Sequence, residues 1–202
     1  MREVFIKGTR YVVLKWVDVD RMVNELALKI ETFYHPHLVV GIHRGGATVA
    51  HLLTDRLGLH RFHSIGCESY RGIAKAGEVK IYQPLTIKSL RSQDVLLVDD
   101  VSDTGRSLRQ VVENEVLPKK PQTLRTATLH IKPETIYLPD YYIKKVDGWI
   151  IYPWETYETA EAVVRRIRRN FTFQDLKRIV VRELGLPVNS FEKALKRISK
   201  MP

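Results

Sequence analysis

Cys67 is the single cysteine among 202 residues. A disulfide framework is thereby excluded, and a reducing compartment, the cytoplasm, is the expected location. Apolar runs of bilayer-spanning length are absent, so no membrane association is expected. The opening Met1-Arg-Glu-Val-Phe-Ile-Lys7 lacks the apolar stretch of a secretion signal. No Gly-x₄-Gly-Lys-Ser/Thr string occurs, which excludes a Walker-type nucleotide loop. His35, His37, His51, His60, His63 and His130 are scattered, without zinc-ligand spacing to a cysteine. Acidic residues are also scarce relative to basic ones, 23 against 33, giving a formal charge of +10. Such a field attracts anions, either nucleic acid or small phosphorylated molecules, and composition does not choose between them.

What is present is a globular composition, 44% hydrophobic and 28% charged, with enough chain to bury its own core. Thr9–Trp16 has strand character. Asp18 or Asp20 then caps a helix to about Ile30, with Val19, Met22, Val23, Leu26 and Ile30 on one face. Leu38–Ile42 is a short apolar run of buried-strand type. A helix over 48–57 follows, closed by Gly58. Residues 62–70 predict a strand, 79–87 a β-arm, 95–98 a buried strand and 107–116 a helix. Alternation over 124–131, then 141–143 and 149–151, adds further strands. Strand–loop–helix units at this spacing predict an α/β fold with a parallel twisted sheet flanked by helices.

The character changes near residue 157. Apolar residues recur at helical spacing in Ala160-Val163-Val164-Ile167, in Phe173-Leu176-Ile179-Val180-Leu184 and in Phe191-Leu195-Ile198, with no strand between. A sheet domain over 1–156 and a helical C-terminal appendage over 157–202 are therefore expected. Arg165-Arg166 and Arg168-Arg169 place part of the basic charge in this appendage.

The richest segment is Val95-Leu-Leu-Val-Asp-Asp-Val-Ser-Asp-Thr-Gly-Arg-Ser107. Four apolar residues deliver the chain to the carboxyl edge of a sheet, where open α/β folds bind ligands. Asp99 and Asp100 can accept hydrogen bonds from vicinal sugar hydroxyls and assist a hard cation through water. A Gly-containing turn at a helix start offers backbone N–H groups to an anion. Ser102, Thr104 and Ser107 add hydroxyls, and Asp103 can take a proton. A second turn, His43-Arg-Gly-Gly46, also joins a strand to a helix. Its glycines permit close backbone approach to an anion, and Arg44 supplies a forked cation.

Residues 95–107 resemble the thirteen-residue phosphoribosyl-pyrophosphate (PRPP) motif of the type I phosphoribosyltransferases. The resemblance spans roughly residues 38–156 and is nearest to the xanthine-guanine and hypoxanthine-guanine branch. It implies the family's sheet with a small hood region, beyond which the helical appendage is extra. It also implies roles. Asp99 and Asp100 would bind the ribose hydroxyls, with Mg²⁺ near Asp100 and Glu155 as a weaker aid. Asp103, Thr104, Gly105, Arg106 and Ser107 would wrap the 5′-phosphate, and Asp103 would act as general base or acid at the purine N7. Arg44, Gly45 and Gly46 would form the pyrophosphate loop, in which the peptide after the basic residue is often cis. Ser69 and Tyr70, before a Gly-rich 71–77 loop, would begin a lid.

Lys132, followed by Trp149-Ile-Ile-Tyr-Pro-Trp-Glu155, resembles the base pocket of the bacterial xanthine-guanine enzyme. Trp149 would stack on the purine, Lys132 would donate to O6, and the backbone of Ile150 would meet the purine edge. The implied activity is transfer of phosphoribosyl from PRPP to a purine base, 6-oxopurines first, by a homodimer or higher homo-oligomer. Adenine is the alternative acceptor. A second alternative is a PRPP-responsive regulator that binds nucleic acid through the basic appendage.

Overall fold

A computed structural model describes residues 1–69 and 79–199. The chain divides into two compact units, one of residues 1–19 with 147–202, the other of residues 20–146. The helical appendage thus belongs to a unit that also takes the N-terminal strands, whereas sequence pattern places a boundary at 157.

The larger unit is built on six strands: β3 (Leu38–His43), β4 (Phe62–Ser69), β5 (Val79–Gln83), β6 (Asp94–Ser102), β7 (Thr123–Ile131) and β8 (Tyr141–Lys145). Their order is β5-β4-β3-β6-β7-β8. All neighbours are parallel except β4 and β5, which form an antiparallel arm with a bulge at Gly66/Cys67. The helix over 16–31, α1 (Trp16–Glu31), leads into β3. Its buried residues Val19, Met22, Val23, Leu26 and Ile30 follow helical spacing. The helix α2 (Gly45–Arg56) joins β3 to β4, and α3 (Arg106–Val111), prolonged by a π-helical turn at Val112–Val116, joins β6 to β7.

Strands β3 and β6 are neighbours although far apart in sequence. From them the order runs outward in both directions, so a topological switch point lies between them. The core on one side of this sheet gathers Val40, Ile42, Ile65, Cys67, Val95, Leu97, Leu108 and Val111. Strand β6 is longer than its apolar run. Its pairing with β3 ends at Val98 opposite Gly41, but its pairing with β7 continues to Ser102 opposite Ile131. The sheet edge is therefore stepped, with Asp99 and Asp100 on the raised side.

The smaller unit has a three-stranded sheet, β1 (Arg2–Ile6), β2 (Thr9–Val13) and β9 (Trp149–Ile151), in the order β1-β2-β9. Strands β1 and β2 form an antiparallel hairpin, while β9 adds in parallel. Three helical segments complete the unit: α4 (Thr156–Ile167), α5 (Phe173–Lys177) with a π-helical turn at Arg178–Glu183, and α6 (Val188–Ser199). A Thr172/Asp175 capping box starts α5. Ile6, Tyr11 and Ile151 share one core with Val163, Val164, Ile167, Leu184 and Phe191. Phe173, placed by spacing on the apolar face, is 59% exposed because it opens its helix. No helix among the described residues is long and apolar enough to cross a membrane.

Candidate active site

The carboxyl edge at the switch point holds both candidate anion loops. The acid pair sits inside β6 rather than beyond it, because β7 keeps pairing with the strand past the end of its apolar run. Each carboxylate is pinned from behind. The Asp100 amide donates to Asp99 Oδ1 at 2.9 Å, and the Val101 amide donates to Asp100 Oδ1 at 2.9 Å. The Gly46 amide also donates to the Asp99 carboxylate. Loss of water around Asp99 raises its pKa well above the ordinary carboxylate value, and the charge of Asp100 pushes the same way. A cation or a set of hydroxyl donors at this pair would favour the ionised form.

The Arg44 turn occupies the lower side of the step. The helix α2 begins at Gly45, three residues before the start expected at Thr48, so both glycines lie in its first turn. Glycine is a poor helix former, and here a close approach requires it. A methyl at Gly45 would overlap the Asp100 carboxylate. One at Gly46 would lie 2.6 Å from the Val98 carbonyl and 2.7 Å from Asp99 Cα. The acid pair and the Arg44 turn are therefore fitted against each other. The Gly46 amide is thereby committed to Asp99. Arg44 is exposed. The cis peptide falls between His43 and Arg44, one bond earlier than the family resemblance suggests, at the point where the chain leaves β3.

The loop after β6 is clamped from the β7 side. Ser102 is buried, and its hydroxyl is spent on Thr135 Oγ1 at 2.7 Å and the Tyr137 carbonyl at 2.9 Å. It is thus a strut rather than the ligand donor that its place in the motif suggests. The Ile136 amide donates to the Thr104 carbonyl at 3.0 Å. Gly105 has φ +80, and a methyl there would lie 2.6 Å from both Thr135 Oγ1 and the Tyr137 amide. Only glycine satisfies both demands. Asp103, Thr104 and Arg106 are exposed around this turn, Gly105 is buried, and Ser107 is half-buried.

The Ser107 hydroxyl hydrogen-bonds the Cys67 thiol of β4. Burial pushes that thiol up to about 11, and the Asp99 charge adds to the shift, so it is a packed and unreactive cysteine. Thr135, Tyr137 and Cys67 escaped the sequence reading. Only the glycine at 105 hinted that something must press on the loop.

Lys132 follows β7 directly, half-buried, with its amide donating to the Ser102 carbonyl at 3.0 Å. Its charge, with that of Lys144, assists burial in lowering the pKa of His130 to about 4. Trp149, Ile150 and Glu155 belong to the smaller unit. Trp149 opens β9, is 37% exposed and stacks on Tyr11, with ring centroids 6.1 Å apart. Ile150 is buried. Glu155 accepts from the Tyr152 amide at 3.3 Å and stands at the N-cap of α4, so its carboxylate organises its own turn. Ser69 ends β4, whereas Tyr70 and the 71–77 loop lie outside the described residues. Among the described residues, no three His, Cys, Asp or Glu side chains cluster as a metal site.

The phosphoribosyl transferase domain family matches residues 15–161. A xanthine-guanine phosphoribosyltransferase of Gluconobacter oxydans is 31% identical over 150 residues, covering 72% of this chain and 85% of that protein. A hypoxanthine-guanine phosphoribosyltransferase of Aquifex aeolicus is 35% identical over 141 residues, 66% of this chain and 76% of its own. A crystal structure of a purine phosphoribosyltransferase from Pyrococcus horikoshii superposes with a TM-score of 0.65 at 35% identity, covering 71% of this chain and 93% of that one. The match ends inside α4, so the rest of the helical segment stands outside it. From its stepped sheet edge to these matches, the chain belongs to the phosphoribosyltransferase family.

Proposed function

We propose that this protein transfers the 5-phosphoribosyl group of PRPP to a 6-oxopurine (hypoxanthine, guanine or xanthine), releasing pyrophosphate and the nucleoside 5′-monophosphate. The observation that carries this is the stepped edge. It sets a carboxylate pair, an Arg44-Gly45 anion turn and a clamped Gly105 loop on adjacent strands. One ligand with a sugar diol and two phosphate arms suits all three.

In this reading Asp99 and Asp100 accept from the ribose 2′ and 3′ hydroxyls. The amides of the turn from Asp103 to Ser107, with the Thr104 hydroxyl and Arg106, hold the 5′-phosphate. Arg44 and Gly45 hold the pyrophosphate. As the glycosidic bond forms at N9 and the anomeric C–O bond breaks, the sugar becomes cationic and the leaving group gains charge. The acid pair then lies beside the positive centre and Arg44 beside the negative one. Asp103 accepts the proton from N7. Lys132 donates to O6, and a donor at this position suits a carbonyl better than adenine's amino group. Trp149 offers its face to the purine and the Ile150 backbone its polar groups.

Two adjacent carboxylates, with no third protein ligand among the described residues, fit a Mg²⁺ ion carried mainly by PRPP oxygens and water. Asp100 would hold it, and when bound it neutralises the departing pyrophosphate. The family's usual homodimer is the expected assembly.

The test is direct. Purified protein is incubated with PRPP, Mg²⁺ and each of adenine, hypoxanthine, guanine and xanthine, and nucleotides are resolved by chromatography. Nucleotide from the three 6-oxopurines and little from adenine is the expected result. Product from adenine alone would overturn the assignment of Lys132. No product from any base, with a salt-dependent shift of nucleic acid, would replace the enzyme with a regulator.

A further inference from the structure

The helical segment beyond the family match needs a role, and its packing points to one. Tyr11 on β2 is 1% exposed and lies in the same apolar core as Val163, Val164 and Ile167 of α4 and Phe191 of α6. Its register partner on β9 is Trp149. The two rings are stacked at 6.1 Å with 26° between their planes, within the range of favourable aromatic pairs. Trp149 is the outer member of this pair and keeps 37% of its surface exposed. One of its faces is therefore backed by a ring that the tail holds still, while part of the side chain remains open.

We propose that Tyr11 is a positioning residue for the purine, with the helices α4 and α6 as the support that fixes its ring. The tail thus builds the backing of the base-stacking tryptophan in this chain. The inference rests on the reading of Trp149 as the purine's stacking partner. A flat aromatic ligand gains most from a stacking partner whose orientation is already set, because less freedom is lost on binding. The sequence alone does not show this, since Tyr11 and α4 are distant along the chain and meet only through the β2–β9 register.

The experiment compares steady-state constants for both substrates in the full chain. Tyr11→Leu removes the backing ring and Tyr11→Phe keeps it. Tyr11→Leu should raise the KM for the purine about fivefold, a size suited to one aromatic pair. The KM for PRPP should stay within about twofold. Tyr11→Phe should restore the wild-type value. In a Trp149→Ala background, Tyr11→Leu should have no further effect on purine KM. Phe191→Leu, which loosens the support from the tail side, should shift purine KM in the same direction by a smaller factor.

If Trp149→Ala raises purine KM while neither Tyr11→Leu nor Phe191→Leu does, the positioning role is wrong and the stacking role stands. If Trp149→Ala leaves purine KM unchanged, the stacking role fails and the inference falls with it. Equal rises in both KM values would mark a general loosening of the fold and also overturn the proposal.

Discussion

The two units solve different problems with their sheets. The six-stranded sheet ends in carboxylates, glycines and a turn with an exposed arginine, all pressed so closely that three glycines leave no room for a methyl group. The three-stranded sheet buries Ile6, Tyr11 and Ile151 under helices and leaves an aromatic ring at its rim. One edge is built for charge and close backbone approach. The other is built for apolar support. This contrast explains why a short motif identifies the first and only three-dimensional pairing reveals the second. It also predicts where substitutions strike hardest.

The largest effect belongs to the charged edge. Asp103→Asn should lower kcat by about two to three orders of magnitude, the usual worth of a general base, with PRPP affinity nearly unchanged. Steady-state kinetics with a separate PRPP binding isotherm checks this. Turnover close to wild type would remove Asp103 from the chemistry.

Acid stability comes next. His130 is buried with its pKa lowered from 6.5 to about 4. The unfolded chain therefore takes up a proton that the folded protein refuses. Stability is intact above pH 6.5 and is lost as the pH falls toward 4, by about 3 kcal/mol once both forms are protonated. Urea denaturation at pH 7 and pH 4 measures this. His130→Asn should flatten that part of the profile, and an unchanged pH slope would shift the cause to other groups.

Gly105→Ala tests close approach itself. With φ +80 and the Thr135–Tyr137 segment overhead, the loop must shift. The KM for PRPP should rise about tenfold or more, and stability should fall by about 1–3 kcal/mol. A folded variant with unchanged PRPP affinity would mean that this turn does not hold the phosphate.

The smallest effect belongs to the outer face of the tail. Arg165, Arg166, Arg168 and Arg169 are exposed. Replacing all four with serine should leave kcat/KM within about twofold and stability within about 1 kcal/mol, because exposed charges contribute little. A large loss of transfer activity would erase the distinction between the two units.

The sequence made much of the larger unit legible. Apolar runs at 38–42 and 95–98 located β3 and β6, and helical spacing picked out the buried face of α1. The acid pair, Gly105 and the Arg44 turn were visible because each residue type has a specific chemical use at a sheet edge. The missing parts depend on partners elsewhere in the chain. Strand β1 escaped the sequence reading and is defined by its antiparallel pairing with β2. The extension of β6 past Val98 depends on β7, and the early start of α2 on contacts that override glycine's poor propensity. The π-helical turns at 112–116 and 178–183 interrupt a periodicity that apolar spacing alone does not resolve. Ser102 looked like a ligand donor because its environment, Thr135 and Tyr137, lies more than thirty residues away.

The step in the sheet edge has a consequence for binding entropy. Asp99 pairs with Thr128 of β7, the pairing resumes at Val101 and runs to Ser102, and both carboxylates are already tied by the next amides. That half of the site has little conformational freedom left to surrender. The ordering cost of capturing substrate then falls on the exposed side chains of Asp103, Thr104 and Arg44. Ligands that engage only the sugar should bind with a smaller entropic penalty than those that also fill both phosphate arms.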